Sequence, residues 1–572
     1  MATGKIPRNP LQKIALSCSG GGYRAAAFHL GAMSYMNRLQ YNGKPLLENV
    51  KMISTVSGGT ITGIIYALQK QKGASFKEIY DFILQKLHSI DLIKSGIVKL
   101  NPDGEWKNPY KHKNLINAFA ELYDEHLTKG ATFAELSTMK SHLEVVVFNS
   151  TEFNNGINFR FRNKGTGYFG NFEIRIPEAA AEEVKLGDAM ASSSCFPGGF
   201  EPMIWPQDFI HEKAEKLKAL VDITPPIGLM DGGIYDNQGI ESILNHKINS
   251  TEPYFDLVII SDVASPYMKA YQPMGDRPKT GLRALTLETV HKRIKKVNVW
   301  ISLALVLLAG IFGALPLITS YSNSLLTGFS LGLSAGFLIM FIIKVVLVKK
   351  IRGMVRGALE KFKKALPSFY IDKLSNLKIE KLSVRRIEPL LIDRINSLVT
   401  LLMDVFLKVV RRLNYYKLYN NERYSYRRMT NLIKELTEVD FGNRVKRKKE
   451  DDPRSDTYWN NTVLKGGYAD VVGPKIKEVS EDASSFGTTL WFTEDEMLNK
   501  MLDKLLATGQ FTMCYNMLYY LETVIWEEGN GFEQLDAATQ ANLKLMYQQC
   551  KDDWAKFKTE PMFLCAEMSS KS

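Results

Sequence analysis

Hydrophobic and polar positions fall into distinct regimes along the chain. From residue 12 to about 270, short apolar runs alternate with stretches at helical spacing. Ile14–Cys18 is a short apolar strand ending in Ser19-Gly20-Gly21-Gly22, followed by a helical pattern from Ala25 to Leu39. Val50–Val56 is a second strand, closing on Ser57-Gly58-Gly59 before a helix over Ile61–Gln69. Leu143–Phe148 and Ile157–Phe161 read as a hairpin turned at Asn154-Asn155-Gly156. Phe255–Ile260 suits a buried parallel strand. This alternation predicts an α/β fold with a covered, mostly parallel sheet.

A second regime begins near residue 292. Val299–Thr319 is almost uninterrupted apolar sequence, and so is Leu325–Val348 apart from Lys344. Each is long enough to cross a hydrocarbon core of roughly 30 Å as a helix. Only Ser320-Tyr321-Ser322-Asn323-Ser324 separates them, which predicts a transmembrane hairpin over 297–348; the alternative is a pair of buried helices in a large core. Gly328, Gly332 and Gly336 recur on one face of the second helix. That face suits close packing against the first helix or against a second protomer, giving a homo-oligomer.

The third regime, 349–452, is helical in pattern and strongly basic. It carries Lys361, Lys363, Lys364, Arg385, Arg386, Arg411, Arg412, Arg427, Arg428 and the run Arg444–Lys449. Ser397–Val410 is apolar but too short to span and reads as a core or interfacial helix. Beyond 453 the composition is balanced again. Thr488–Phe492 reads as a strand returning to the α/β layer over 480–530, and 531–572 as a helical tail. The expected catalytic unit spans 12–280, and the hairpin and basic helices are an insertion in it.

Charge changes the picture twice. The formal net charge of +12 favours an acidic partner. Next to an apolar hairpin, the basic helices most simply meet anionic lipid headgroups. No nucleic-acid motif accompanies the charge, so no nucleic acid is expected. Lys292, Arg293, Lys295 and Lys296 precede the hairpin, Lys349, Lys350, Arg352 and Arg356 follow it, and its loop has no basic residue. The positive-inside rule then puts the catalytic unit and both termini in the cytoplasm. The first eleven residues lack an apolar secretory stretch. Cys18, Cys195, Cys514, Cys550 and Cys565 form no C-x-x-C pair, which argues against a disulfide scaffold or a zinc site.

Three segments carry candidate chemistry. Ser57 lies on a strand-to-helix turn among Thr55, Gly58, Gly59 and Thr60. A nucleophile elbow needs small neighbours because the backbone bends sharply there. The usual form is G-x-S-x-G, and Thr55 departs from its first position; the bland reading of Ser57 is a helix N-cap. Gly20, Gly21 and Gly22 leave amides unshielded at a helix start, a nest for a phosphate or an oxyanion, with Arg24 beside it. A dinucleotide reading fails because Ala25 stands at the last glycine position and no acidic residue ends the next strand. Met230-Asp231-Gly232-Gly233 is a tight turn that exposes a carboxylate, the bland reading being a surface turn. A carboxylate beside a serine can act as its base without histidine.

Together these segments resemble the patatin-like phospholipase family. The resemblance runs from Lys13 to about Ser265, resumes near Ser485–Met517, and includes Phe28-His29-Leu30-Gly31 and Ala191–Gly198. It implies a three-layer α/β/α sandwich and a Ser–Asp dyad, with Ser57 as nucleophile and Asp231 as base. It further implies an oxyanion hole from Gly20, Gly21 and Gly22 with Arg24 behind, turns supported by Gly59, Gly232 and Gly233, and no metal or other cofactor. The implied substrates are membrane phospholipids or other acyl esters. Three rivals stand beside it: a Ser57–Asp231–His246 triad, a transacylase using the same dyad, and a non-catalytic lipid-binding scaffold. His246 lies in a helical, polar stretch, where solvation is its simpler meaning.

Overall fold

The computed structural model of the chain describes residues 5–163, 167–221, 225–250, 252–264, 285–319, 324–365, 383–441, 456–466 and 468–570. It divides into Met1–Met268 together with Met403–Ser572, and Lys269–Leu402. The expected loop residues 320–323, the side chains of Lys361, Lys363, Lys364, Arg385 and Arg386, and the run Arg444–Lys449 lie outside what is described.

In the first unit one sheet gathers β1 (Ile14–Cys18), β2 (Val50–Val56), β3 (Val145–Glu152), β4 (Ile157–Arg162), β5 (Phe169–Gly170), β6 (Arg175–Ile176), β7 (Met203–Trp205), β8 (Ile227–Asp231), β9 (Leu257–Asp262) and β10 (Arg428–Leu432). The order is β10-β9-β1-β2-β3-β4-β5-β6, with β8 beside β3 and β7 beside β8. From β10 to β3 the pairing is parallel, and from β3 outward it is antiparallel. The expected parallel sheet is thus one half of a mixed one, running from the edge strand β10 to β3. The predicted hairpin is present as β3 and β4, with Glu152 opposite Ile157.

Eight helices matter below: α1 (Gly22–Arg38), α2 (Gly58–Gln71), α3 (Leu186–Ser193), α4 (Ile240–Leu244), α5 (Leu287–Thr319), α6 (Ser324–Ala365), α7 (Leu407–Tyr419) and α8 (Met501–Trp526). Alternate strand residues face opposite ways. Ile14, Leu16, Leu257 and Ile259 join a large core with residues of α1, α2 and α8. Ala15, Val258 and Ile260 join a smaller one with Ile240, Ile243 and Leu418. Both faces of the sheet are therefore covered by helices, as an α/β/α sandwich requires.

The C-terminal segment is integral to this layer. A methyl group on Gly31 of α1 would overlap the Leu506 carbonyl, and one on Gly509 of α8 would overlap the Phe28 carbonyl. Two facing glycines thus let α1 and α8 cross at backbone contact. The return to the sheet starts earlier than the composition indicates, because β10 pairs with β9 from within the basic region. Thr488–Phe492 is irregular, contrary to the expected strand. It is held by the first turn of α1: the Thr489 carbonyl accepts from Tyr23 N–H (2.8 Å), and just before the segment the Phe486 carbonyl accepts from Arg24 Nη1 (2.6 Å).

In the second unit α5 and α6 are long and apolar enough to cross a membrane. They run antiparallel: Ser334 Oγ donates to the Ala309 carbonyl (2.7 Å), and Lys344 Nζ to the Asn298 carbonyl (2.6 Å). Cβ atoms at Gly328, Gly332 and Gly336 would meet nothing within 4 Å. That glycine ridge faces away from α5, so of the two packing partners it suits, the first helix is not the one used. Leu303, Leu307, Leu317, Leu325, Phe329 and Ile343 are all exposed.

Candidate active site

Two strands meet head to head along β3. Val56, the last residue of β2, pairs with Asn149, and Asp231, the last residue of β8, pairs antiparallel with Ser150. The residues that leave these strand ends are therefore neighbours although 174 positions separate Ser57 from Asp231. Ser57 has φ 49° and ψ −123°, a strained conformation for a residue with a side chain. It persists because the turn is held on every side. Ser57 N–H donates to Ser193 Oγ (2.9 Å), and Ser193 Oγ donates to the Asn149 carbonyl (2.7 Å). A side chain on Gly58 would overlap the Gly22 carbonyl, and one on Gly59 would lie 2.6 Å from the Cys18 carbonyl. Thr55 is accommodated in place of the usual glycine. Its Oγ1 bonds Thr60 Oγ1 (2.9 Å), and Gly63 leaves room for its methyl group.

The Asp231 turn is built as tightly. Its main chain bonds Cys195 and Thr151, and its Oδ1 accepts from Gly233 N–H (2.7 Å). The Ser57 side chain is close enough to lower the carboxyl's pKa, so the expected pair are neighbours. Burial dominates the electrostatics and pushes the carboxyl up to about 6, against the lowering effect of the Gly233 hydrogen bond and the nearby Ser57 side chain.

The glycine loop abuts both. Gly20 packs on Ser57, since a Cβ there would lie 2.9 Å from Ser57 Cβ. One expectation is corrected: Gly20 N–H donates to the Asn237 carbonyl (3.0 Å) and is not free to bind an oxyanion. Tyr23 N–H is likewise spent on Thr489. The amides of Gly21 and Gly22 have no protein acceptor among the described residues. Arg24 is buried behind them, lowered to about 10 by burial first and then by Arg411, with Asp262 opposing.

His246 does not join the site. It sits on the turn after α4, with its ring against Tyr254 and Phe255 at 5.1 and 5.5 Å, and burial holds it at about 4. It is thus half-buried in an aromatic cluster, which corrects the expectation of a solvated helical histidine. His246→Ala should keep most of any esterase activity, and a loss equal to that of Ser57→Ala would restore the triad.

Sequence reasoning missed the residues that hold this geometry. Ser193 ties the Ser57 turn to β3, and Asn237 ties the Asp231 loop to the glycine loop. Asn149 Nδ2 donates to the Thr55 carbonyl (3.0 Å), fixing the end of β2. Only Ser193 left a signal, inside the Ala191–Gly198 stretch already singled out.

An α/β/α layer with a strained serine elbow, a buried carboxylate partner and a glycine nest is an arrangement for acyl transfer. Residues 16–244 match the patatin-like phospholipase family model. Two solved structures of human GIVD cytosolic phospholipase A2 are similar. The one in complex with a methyl gamma-linolenyl fluorophosphonate inhibitor and terbium chloride shares 14% identity at TM-score 0.26, covering 44% of this chain and 41% of that one. The other shares 12% identity at TM-score 0.27, covering 45% and 44%. The chain thus matches less than half the length of either. No curated protein matches the chain.

Proposed function

We propose that the protein is a lipid acyl-ester hydrolase of phospholipase A or lysophospholipase type, working at the cytoplasmic face of a membrane. The observation that carries the reading is the placement of Ser57, on its strained turn, beside the buried Asp231 carboxylate, because β2 and β8 end on adjacent residues of β3. In the first half-reaction Ser57 Oγ attacks the ester carbonyl carbon while its proton passes to Asp231. The Gly21 and Gly22 amides stabilise the oxyanion. The C–O bond breaks, the leaving alkoxide takes the proton from Asp231, and an acyl-Ser57 ester remains. Water then attacks this ester, giving its proton to Asp231, which returns it to Ser57 Oγ as the fatty acid leaves. A transacylase differs only in the second acceptor, so product analysis in water with and without an added lysolipid separates the two. In this reading α5 and α6 span the bilayer and the glycine ridge of α6 serves self-association.

The test is covalent. A fluorophosphonate should label the wild type on Ser57, identified by peptide mass, and leave Ser57→Ala unlabelled. Absence of labelling in a folded wild type would favour the non-catalytic scaffold. Gly21→Val tests the oxyanion hole. Gly21 has φ +150°, and a Cβ there would lie 2.6 Å from Val263 Cγ2, so the loop must shift. Losing one oxyanion donor costs on the order of a hundredfold or more in rate. Unchanged turnover would give the loop another role.

A further inference from the structure

The helix α7 (Leu407–Tyr419) presents two unlike faces. Its inner face is tied to the active site. Asn414 Nδ2 donates to the Tyr235 carbonyl (3.2 Å), and Gln238 Nε2 donates to the Arg411 carbonyl (3.4 Å). Tyr235 and Gln238 belong to the loop that Asp231 opens. Tyr415 OH donates to Asp262 Oδ2 (3.0 Å), Arg411 pairs with Asp262 Oδ1 (3.4 Å), and Leu418 is fully buried in the smaller core. Inner-face residues 407, 410, 411, 414, 415 and 418 follow helical spacing.

The outer face should be polar if water covers it. Instead Val409 is 44% exposed, Leu413 55% and Tyr416 57%, with Phe406 just before the helix 44% exposed. Among the described residues, Arg412 and Lys417 are the charged side chains of this outer face, both basic, and Lys417 pairs with Glu241 (2.8 Å) at its edge. The apolar spacing continues backward through Ile395, Leu398, Val399 and Leu402, all more than half exposed.

We infer that this outer face of α7 is a membrane-docking surface that dips into the headgroup and upper acyl region of an anionic leaflet, beside the loop that carries Asp231. Three features select a bilayer over a protein partner. The charged side chains that α7 itself places beside the apolar stripe are all basic, Lys417 being paired with Glu241 and Arg412 left to meet anionic headgroups. The stripe follows in sequence two helices long and apolar enough to span a membrane. And its reverse side is bonded to the Asp231 loop, so docking would set the catalytic turn at the surface that holds the substrate. The inference rests on the reading of the protein as a membrane lipid hydrolase but is tested apart from it.

All five cysteines are buried, so one placed on the exposed face labels selectively. Full-length protein carrying Val409→Cys, Leu413→Cys or Tyr416→Cys is labelled with an environment-sensitive fluorophore. It is then reconstituted in phosphatidylcholine–phosphatidylglycerol vesicles, with Leu545→Cys, 69% exposed elsewhere in the same unit, as the reference. Lipids brominated high on the acyl chain should quench the first three labels and spare the fourth. Equal quenching at all four, or none at positions 409, 413 and 416, overturns the inference. A blue shift there without bromine quenching, lost on dilution in lipid, would mean that a second copy covers the face and overturns it too. In the second arm, Val409→Asp with Leu413→Asp should lower the ratio of vesicle-phospholipid to soluble short-chain ester hydrolysis by about tenfold or more. An unchanged ratio in a folded variant also overturns it. A wild type that hydrolyses neither substrate would refute the hydrolase reading while the quenching arm still decides the docking face.

Discussion

Ser57→Ala should abolish ester hydrolysis, and Asp231→Asn should lower it by on the order of ten-thousandfold, with the protein still folded and membrane-bound. The two side chains act as a unit, so the double variant should be no worse than Ser57→Ala alone. Asn at 231 can still accept from Gly233 N–H but cannot take the Ser57 proton, which separates geometry from basicity. Wild-type-like turnover in either single variant refutes the dyad. The pH profile gives an independent reading. With Asp231 pushed up to about 6, the charged base is lost below that pH. kcat/KM should fall tenfold per unit below about pH 6 and level off above it.

The same burial makes a stability prediction of definite sign. The ordinary value for this carboxyl is 3.8, and the fold raises it to about 6. The folded state therefore holds a proton that the unfolded chain releases between those two values. Keeping Asp231 charged costs the fold up to about 3 kcal/mol, fully present above pH 6 and absent below about pH 4. Asp231→Asn should raise the unfolding midpoint at pH 7 and leave it nearly unchanged at pH 4. An inactive enzyme that is more stable at neutral pH is what a functional carboxylate held against its own solvation predicts.

The sheet core and the two turns that place Ser57 and Asp231 side by side were legible because their signals are local. Apolar runs closing on Gly20-Gly21-Gly22, Ser57-Gly58-Gly59 and Asp231-Gly232-Gly233 mark strand ends whose backbone must bend sharply. Which amides remain free was not legible. Gly20 reads like Gly21 and Gly22 in sequence, and only the approach of Asn237 removes its N–H from the set. The Thr488–Phe492 segment has the composition of a strand, yet tertiary contact with the first turn of α1 consumes its Thr489 carbonyl. Arg428–Leu432 hides its strand under basic residues because it lies at the sheet edge, where Arg428 reaches the Tyr419 carbonyl and its own ring. Ser193 supports the site through its hydroxyl, bonded to Ser57 and Asn149, and Asn237 through its carbonyl, bonded to Gly20, and such isolated contacts leave no periodic trace.

Neither alkaline carbonate nor high salt should release the full-length protein from membranes. Leu303, Leu307, Ile311, Leu317, Leu325, Phe329, Ile339, Ile343 and Val346 of α5 and α6 are each about half exposed or more. Removing a large apolar side chain from water contributes about 1.5–3 kcal/mol, so the pair stands to gain on the order of 20 kcal/mol in hydrocarbon. Buried soluble helices would have satisfied this surface within the fold, and these do not. The polar contacts of the pair are internal, including Lys344 on the Asn298 carbonyl, so little polar surface opposes insertion. The proposed sidedness rests on the flanking cations and is checked by cysteine labelling. A cysteine at Asn323, which lies outside the described residues, should react with an impermeant reagent from outside. Native Cys514 is fully buried, so its silence would carry no topological information. Leu498→Cys, 81% exposed in the catalytic unit, is the reporter that should react only after the membrane is opened. Extraction by salt alone would mean that the hairpin is not inserted and that basic helices are the only attachment. Labelling of both positions from the same side of an intact membrane would refute the two-pass arrangement.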